Sequence, residues 1–264
     1  MPLSLASTSP TVSVVIPVKD DGLELRRCLA ALATQSRLAD EIVVVDNGSS
    51  DASARIAVEG GARVVHCAHA GIPAAGAHGY DAAEGDLILR LDADCVPDPA
   101  WIETVISTFL ARPRVHVLSG RARFIDGPRR LRGPLAAAYL AAYAVVVSPA
   151  LGHLPMFGSN LAFHREAWES VRATVHRADP SLHDDLDLAY HFGERHRIGY
   201  LPGAHMGISM RPFGSVRSLA RRVGSGFRTV LIHWPHDFPP VRWTRLALRR
   251  GLSCAGVPTR RSAS

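Results

Sequence analysis

Four times within its first hundred residues the chain passes from a short apolar or β-branched run to a segment with helical spacing. That alternation restricts the fold more than any other feature. Thr11 to Val18 (TVSVVIPV) reads as a buried strand, and Leu25, Cys28, Leu29 and Leu32 then recur along one helix face. Glu41 to Asp46 is a second strand, closed by Asn47-Gly48-Ser49-Ser50-Asp51, where Ser50 or Asp51 can cap the next helix. Ala62 to Cys67 is a third strand, and a small-residue helix from about Pro73 to Ala83 leads to Gly85. Asp86 to Leu91 is a fourth strand, and it stops at Asp92-Ala93-Asp94. This pattern predicts an α/β domain with a Rossmann-like, mostly parallel sheet and right-handed crossovers, whose ligands bind beyond the carboxyl ends of the strands.

Asp20, Asp46, Asp92 and Asp94 all fall at those carboxyl ends. Two carboxylates two residues apart at a strand end can both reach one hard cation. Magnesium or manganese suits them, because each takes oxygen ligands and leaves positions for diphosphate oxygens. Such an ion neutralises charge on a departing nucleoside diphosphate. The plain alternative is a solvated turn before Pro97-Asp98-Pro99.

The second half is less regular. Its pattern predicts a helix at 98–111, a strand at 114–119, an apolar helix at 135–148, a strand at 156–163, a helix at 182–195, a strand at 198–201 and a basic helix around 215–232. Residues 1–10 read as a loose leader and 251–264 as a disordered tail. One domain is therefore expected over 11–250, with a regular half at 11–97 and a less regular half at 98–250, which the family resemblance described below makes the nucleotide-binding and acceptor-side halves. Ser181-Leu182-His183-Asp184 has capping-box spacing, which would set Asp184 and Asp185 in a first helical turn among unpaired backbone N–H groups.

Apolar residues make up 47% of the chain, which argues against disorder. The formal charge is +6, and Lys19 is the only lysine. Arginine pairs bidentately with phosphate, although an arginine-rich genome would leave the same bias. No zinc-finger or RNA-recognition motif accompanies the basic clusters, so nucleic acid is not an expected partner. A phosphorylated substrate or an anionic membrane surface is favoured instead. Cys28, Cys67, Cys95 and Cys254 have no paired spacing; Cys28 and Cys67 read as core. MPLSLASTSP has no signal-peptide character, so the expected location is cytoplasmic, with the inner face of the membrane as a variant. The uncharged segment Leu135–Leu151 is slightly short for a span and reads as a buried or surface-lying helix.

Taken in order, these motifs resemble inverting glycosyltransferase family 2, a group with the GT-A fold. VSVVIPVKD, with Pro17, resembles its first strand; Gln35 stands where the first helix closes; EIVVVDNGSSD resembles its second strand and acidic loop. DAAEGDLILRLDADC resembles the approach to its metal motif, GSNLAFHREAW its acceptor-side segment, and HDDLDLAYHF its Glu-Asp-x-Asp-Leu signature. The resemblance implies a GT-A domain with a mixed acceptor-side half, and transfer of a sugar from a nucleoside-diphosphate sugar to an acceptor hydroxyl with inversion. The apolar 135–151 segment and the basic C-terminal half would suit a lipid-linked or cell-envelope glycan as acceptor. The resemblance further implies that Pro17 borders the nucleobase, Asp46 hydrogen-bonds it, Asp92 contacts ribose or metal, and Asp94 ligates a Mg2+ or Mn2+ ion. Gly158 and Asn160 would line the sugar pocket, Asp184 would replace a glutamate, Asp185 would be the catalytic base, and His205 would be the third metal ligand.

Two departures stand out. Ala75-Gly76-Ala77 falls where the family has Ala-Arg-Asn, so an arginine is missing, and His78 or an arginine elsewhere would have to compensate. Arg221-Arg222-Val223-Gly224-Ser225-Gly226 reads either as a loop over the diphosphate or as a solvated basic helix. Alternative activities are a retaining transferase or a nucleotidyltransferase of similar fold, although the acidic Lys19-Asp20-Asp21-Gly22 argues against the latter. A degenerate member that only binds is the non-enzymatic reading.

Overall fold

The computed structural model describes residues 9–211 and 215–255. The alternation is realised as β1 (Val12–Val18), α1 (Gly22–Leu32), β2 (Glu41–Asp46), α2 (Ser53–Glu59), β3 (Arg63–His66), α3 (Ile72–Ala82) and β4 (Leu87–Arg90). These strands pair in parallel in the order β3-β2-β1-β4. Every residue of β1 is buried. Alternate side chains go to opposite faces of a strand, so Val12, Val14 and Ile16 join the α1 residues Leu25, Cys28 and Leu29 in one core. Val15 joins Ala74, Ala75 and Tyr80 of α3 in the other.

Beyond β4 the sheet becomes mixed. β7 (Leu161–His164) is antiparallel to β4, β6 (Val117–Phe124) is antiparallel to β7, β8 (Ile198–Ile208) is parallel to β6, and β5 (Val96–Pro97) closes the far edge against β8. Among the described residues the result is an eight-stranded sheet in an α/β fold, flanked by α4 (Trp101–Ala111), α5 (Arg132–Leu151), α6 (Arg165–Val171), α7 (Asp184–Arg195), α8 (Val216–Ile232) and α9 (Pro239–Ala255). Gln35 pins α1 to α4: its side-chain amide donates to the Asp98 carbonyl at 2.9 Å and its oxygen accepts from the Ile102 amide at 3.3 Å.

Several boundaries differ from the pattern. The strand expected at 114–119 runs instead from Val117 to Phe124. It continues past a register shift between Ser119 and Arg121, because its second half pairs with the outer half of β8. That pairing also extends β8 well beyond 201. The strand expected at 156–163 is shortened by a 3-10 turn at Gly158–Asn160. The capping box is not used. Asp179 takes both the Ser181 amide and its hydroxyl, so His183 becomes the N-cap residue of α7 without a side-chain cap. Neither Ser50 nor Asp51 is the N-cap of α2, a position that Ala52 takes without a side-chain cap; one Asp51 carboxylate oxygen accepts from the Ser53 amide at 2.9 Å, and the other accepts from the Gly22 amide at 3.0 Å.

The pattern gave no helix over 239–250, and α9 also continues five residues into the expected tail. Residues 1–8 of the leader and 256–264 of the tail lie outside the described residues. A buried arginine anchors α9. Arg242 donates to the carbonyls of Leu151 at 2.7 Å and Tyr190 at 2.9 Å, and pairs with Asp237 at 3.0 Å. Helix α5 is long and apolar enough to cross a membrane by length and composition. It packs on the rest of the molecule through Ala136, Val147 and Leu151 and leaves Leu135, Val145 and Val146 exposed.

Candidate active site

The site forms where β4 ends. The apolar run Leu87 to Leu91 is buried throughout, and its one charged residue, Arg90, is buried with it. A guanidinium cannot sit unpaired in such a place. One Arg90 nitrogen bonds the Asp92 carboxylate at 2.9 Å, and another lies 2.8 Å from the Asp184 carboxylate. Arg90 thus ties the Asp92-Ala93-Asp94 turn to the first turn of α7. No motif marks Arg90; its one signal in the sequence is a lone arginine inside an otherwise apolar strand. Arg90 also supplies a guanidinium to this region in a chain that has Gly76 where one was expected.

Asp92 and Asp94 offer oxygens that, with the Cys95 sulfur, lie within 4.8 Å of one another. Burial and the neighbouring Asp92 lift the Asp94 carboxyl above its ordinary range, and Arg211 opposes them. Arg211 bonds Asp94 at 3.0 Å and Asp21 at 2.7 Å. Ser159 donates its hydroxyl to the other Asp92 oxygen. Two close carboxylates with an unfavourable charge balance fit a divalent cation: they supply hard oxygen ligands, and the ion would relieve their repulsion.

Asp185 is buried at the start of α7. One of its oxygens accepts from the Gly158 amide at 2.9 Å, and the other is in ion-pair contact with the His183 ring. Burial alone would raise its pKa. The His183 imidazole, the Arg90 charge and the Gly158 amide more than reverse this and hold the carboxyl at about 2. Asp184 goes the other way: burial and Asp185 raise it against the pull of Arg90. The two neighbouring acids are thus shifted in opposite directions, Asp185 down and Asp184 up. His183 is shifted up despite burial, because Asp185 and Asp184 favour its charged form. The Tyr143 ring lies over His183 with centroids 5.9 Å apart. Burial and the adjacent Asp185 push the Tyr143 phenol well above its usual range.

The remaining expected residues divide. Pro17 is on β1 beside Val45, and Asp46 ends β2 opposite Val18, so both stand on the same rim of the sheet. Asp46 is buried, accepts from the Ser49 amide at 3.0 Å and faces His66 Nδ1 at 3.2 Å. Gly158 meets Asp185 as described. Asn160 is fully buried; its amide oxygen accepts from Trp101 Nε1 at 2.8 Å and its amide nitrogen donates to the Arg121 carbonyl at 2.9 Å. Those bonds fix the turn that presents Gly158. His205 does not join Asp92 and Asp94. Its amide donates to Asp98 at 2.9 Å and its ring faces the same carboxylate at 3.8 Å, because the β8–β5 pairing carries it along the sheet edge. There it lines a groove of about 550 Å³ with Arg121, Arg123, Ala137 and Leu140. The Arg221–Gly226 segment is helical, within α8.

A model of glycosyl transferase family 2 matches residues 13–172. The glycosyltransferase AglE of Haloferax volcanii is 31% identical over 128 residues, which are 46% of this chain and 42% of that protein. The undecaprenyl-phosphate 4-deoxy-4-formamido-L-arabinose transferase of Klebsiella pneumoniae is 40% identical over 111 residues, 36% of this chain and 32% of that protein. The chain thus spans well under half the length of these curated relatives. Among solved structures, the fold is similar to glucosyl-3-phosphoglycerate synthase of Mycobacterium tuberculosis in complex with Mn2+, UDP and glucosyl-3-phosphoglycerate. The TM-score is 0.58 at 20% identity, covering 84% of this chain and 79% of that one.

Proposed function

The chain belongs to glycosyl transferase family 2, and on that premise we propose that it moves a sugar from a nucleoside-diphosphate sugar to an acceptor hydroxyl with inversion at the anomeric carbon. The observation that carries this reading is the Arg90 bridge. It makes the carboxylates suited to the diphosphate end and those suited to the acceptor end parts of one ion-paired unit. Pro17 and Asp46 are assigned to the base, and Asp92 and Asp94 to a Mg2+ or Mn2+ ion. Bound there, the ion would neutralise the charge that develops on the departing diphosphate.

Asp185 takes the proton of the acceptor hydroxyl as its oxygen attacks the anomeric carbon and the bond to the diphosphate breaks. Gly158 positions Asp185 through its amide, and Asn160 keeps that turn rigid beside the sugar. Asp184 holds Arg90. His183 shares the Asp185 charge and orients the carboxylate. His205 is assigned to the acceptor groove rather than to the cation.

That groove has Arg121, Arg123 and His205 on one side and Ala137 and Leu140 of α5 on the other. It suits an acceptor with an anionic head and an apolar body, such as a lipid-linked or cell-envelope intermediate. The exposed apolar residues Val145, Val146, Leu219, Val223 and Phe227 lie on α5 and α8, and α8 also carries exposed Arg217, Arg221 and Arg228. They support docking of the protein on an anionic membrane, on its cytoplasmic side.

A thermal-shift screen of nucleoside diphosphates and their sugars, with and without Mn2+, tests the donor assignment, since a ligand of the native state raises the midpoint. A shift that needs both nucleotide and Mn2+ is expected. Proton NMR of the product from the donor so identified then reads the anomeric configuration, and retention would reject inversion.

A further inference from the structure

Around the first two turns of α7, four side chains converge. Asp187 and His191 lie one helical turn apart on α7, His176 comes from the loop before that helix, and His233 caps the end of α8. Their ligand atoms all lie within 4.8 Å of one another. Asp187 Oδ1 is 2.7 Å from His176 Nδ1, 3.0 Å from His233 Nε2 and 3.6 Å from His191 Nε2. Four ligands at zinc bond lengths around a tetrahedral ion stand roughly 3.3–3.4 Å apart, in the middle of that spread.

The atoms behind the cluster are arranged as a metal site needs. The other Asp187 oxygen accepts the His176 amide at 2.9 Å, which leaves Oδ1 for the centre. The Thr174 hydroxyl donates to the Val171 carbonyl at 2.9 Å and faces His191 Nδ1 at 3.2 Å. With its proton so used, that oxygen can accept from His191 Nδ1–H, which turns the lone pair of Nε2 inward. His191 Nε2 is buried and makes no hydrogen bond. His233 Nδ1 faces the Asp237 carboxylate at 3.4 Å, and its ring stacks on Tyr190 with centroids 3.9 Å apart. Carboxylate and hydroxyl partners on the outer ring nitrogens fix the tautomer that ligates a metal. With both histidines in that tautomer, two nitrogen lone pairs face a carboxylate oxygen, and a cation resolves the conflict.

We propose that His176, Asp187, His191 and His233 hold a structural zinc ion that ties helix α7, the bearer of Asp184 and Asp185, to the end of α8. Three neutral imidazoles and one carboxylate select a borderline transition-metal ion over Mg2+, which takes oxygen ligands. Four protein ligands leave no open position, so the ion braces the site and takes no part in transfer. The proposal is independent of the sugar-transfer reading.

The test is metal content by plasma mass spectrometry on tag-free full-length protein after gel filtration. It is paired with Zn2+ and Co2+ titration of chelator-stripped protein, with the Co2+ d–d spectrum as the readout of geometry. Expected are about one zinc per chain in the wild type and a tetrahedral Co2+ spectrum. Both should be retained in Asp94→Asn and lost in His191→Gln and His233→Gln. His176→Gln, at the exposed edge of the cluster, serves if those two fail to fold. Asp237→Asn should weaken Zn2+ binding about 10- to 100-fold while leaving the site formed. Wild-type protein that carries no zinc and takes up neither ion, or histidine variants that keep the tetrahedral spectrum, would overturn the proposal. Loss of zinc in the histidine variants alone leaves the roles of Asp92, Asp94 and Asp185 untouched.

Discussion

At the scale of single residues, the account turns on how closely Arg90, Gly158 and Asp185 approach one another. A Cβ on Gly158 would lie 2.1 Å from Arg90 Nη1 and 3.1 Å from Asp185 Cβ. Gly158→Ala should therefore displace the guanidinium and cut turnover at least tenfold while the protein still folds, as checked by steady-state kinetics beside circular dichroism. Arg90→Met removes the cation between two carboxylates and is expected to cost about 3–5 kcal/mol in denaturant unfolding, the usual penalty for stripping one partner from a buried ion pair. The His183–Asp185 contact makes stability depend on pH. Folded His183 holds its proton more tightly than its ordinary value of 6.5, so its contribution is whole below 6.5 and fades as pH rises through the raised value. Asp185 is lowered from 3.8 to about 2, so its contribution is whole above 3.8 and fades as pH falls toward 2. The gap in melting temperature between wild type and His183→Gln should be widest between these limits and narrow in alkali. A gap that is flat with pH would reject the ion pair.

At the scale of elements, the parallel half was legible because each strand and helix there is a short, strongly patterned run that buries one or both faces. Its tightest joint was not legible. A Cβ on Gly79 would stand 2.4 Å from Val15 Cγ1 and 2.6 Å from Val45 Cγ2, so α3 lies against β1 and β2 only because that position carries no side chain. Gly79→Ala should lower stability by about 1–3 kcal/mol through overpacking, measured by urea unfolding, with nucleotide binding spared in the folded fraction. The second half was read less well for identifiable reasons. The outer parts of β6 and β8 exist because they pair with each other, and no local pattern announces a partner some eighty residues away. Helix α9 was hidden by its arginines, which look solvated in a list, whereas Arg242 is buried among Leu151, Tyr190, Glu194 and Asp237. The cap of α7 was misplaced because Asp179, three residues upstream of Leu182, claims the Ser181 hydroxyl first.

At the scale of the whole molecule, the rim position of Asp46, Asp92 and Asp94 followed from the topology of a wound sheet, and Asp184 and Asp185 were found through family resemblance. What no reading of the chain could supply was the link between these two groups, since Arg90 acts through contacts that span about ninety residues. The same holds for His205, whose neighbours depend on which strands β8 meets. The exposed arginines of α8, beside the apolar faces of α5 and α8, are expected to bring the protein down with anionic vesicles at low salt and to release it at high salt; equal pelleting with neutral vesicles would argue against an electrostatic membrane contact. The central claim, that Asp185 is the base of a sugar transfer assembled on this sheet rim, is tested most directly by the single-turnover rate of Asp185→Asn with saturating donor and Mn2+. The account expects a fall of about 10²- to 10⁴-fold with donor affinity within a few-fold of wild type. A variant that transfers sugar at a near wild-type rate would contradict it.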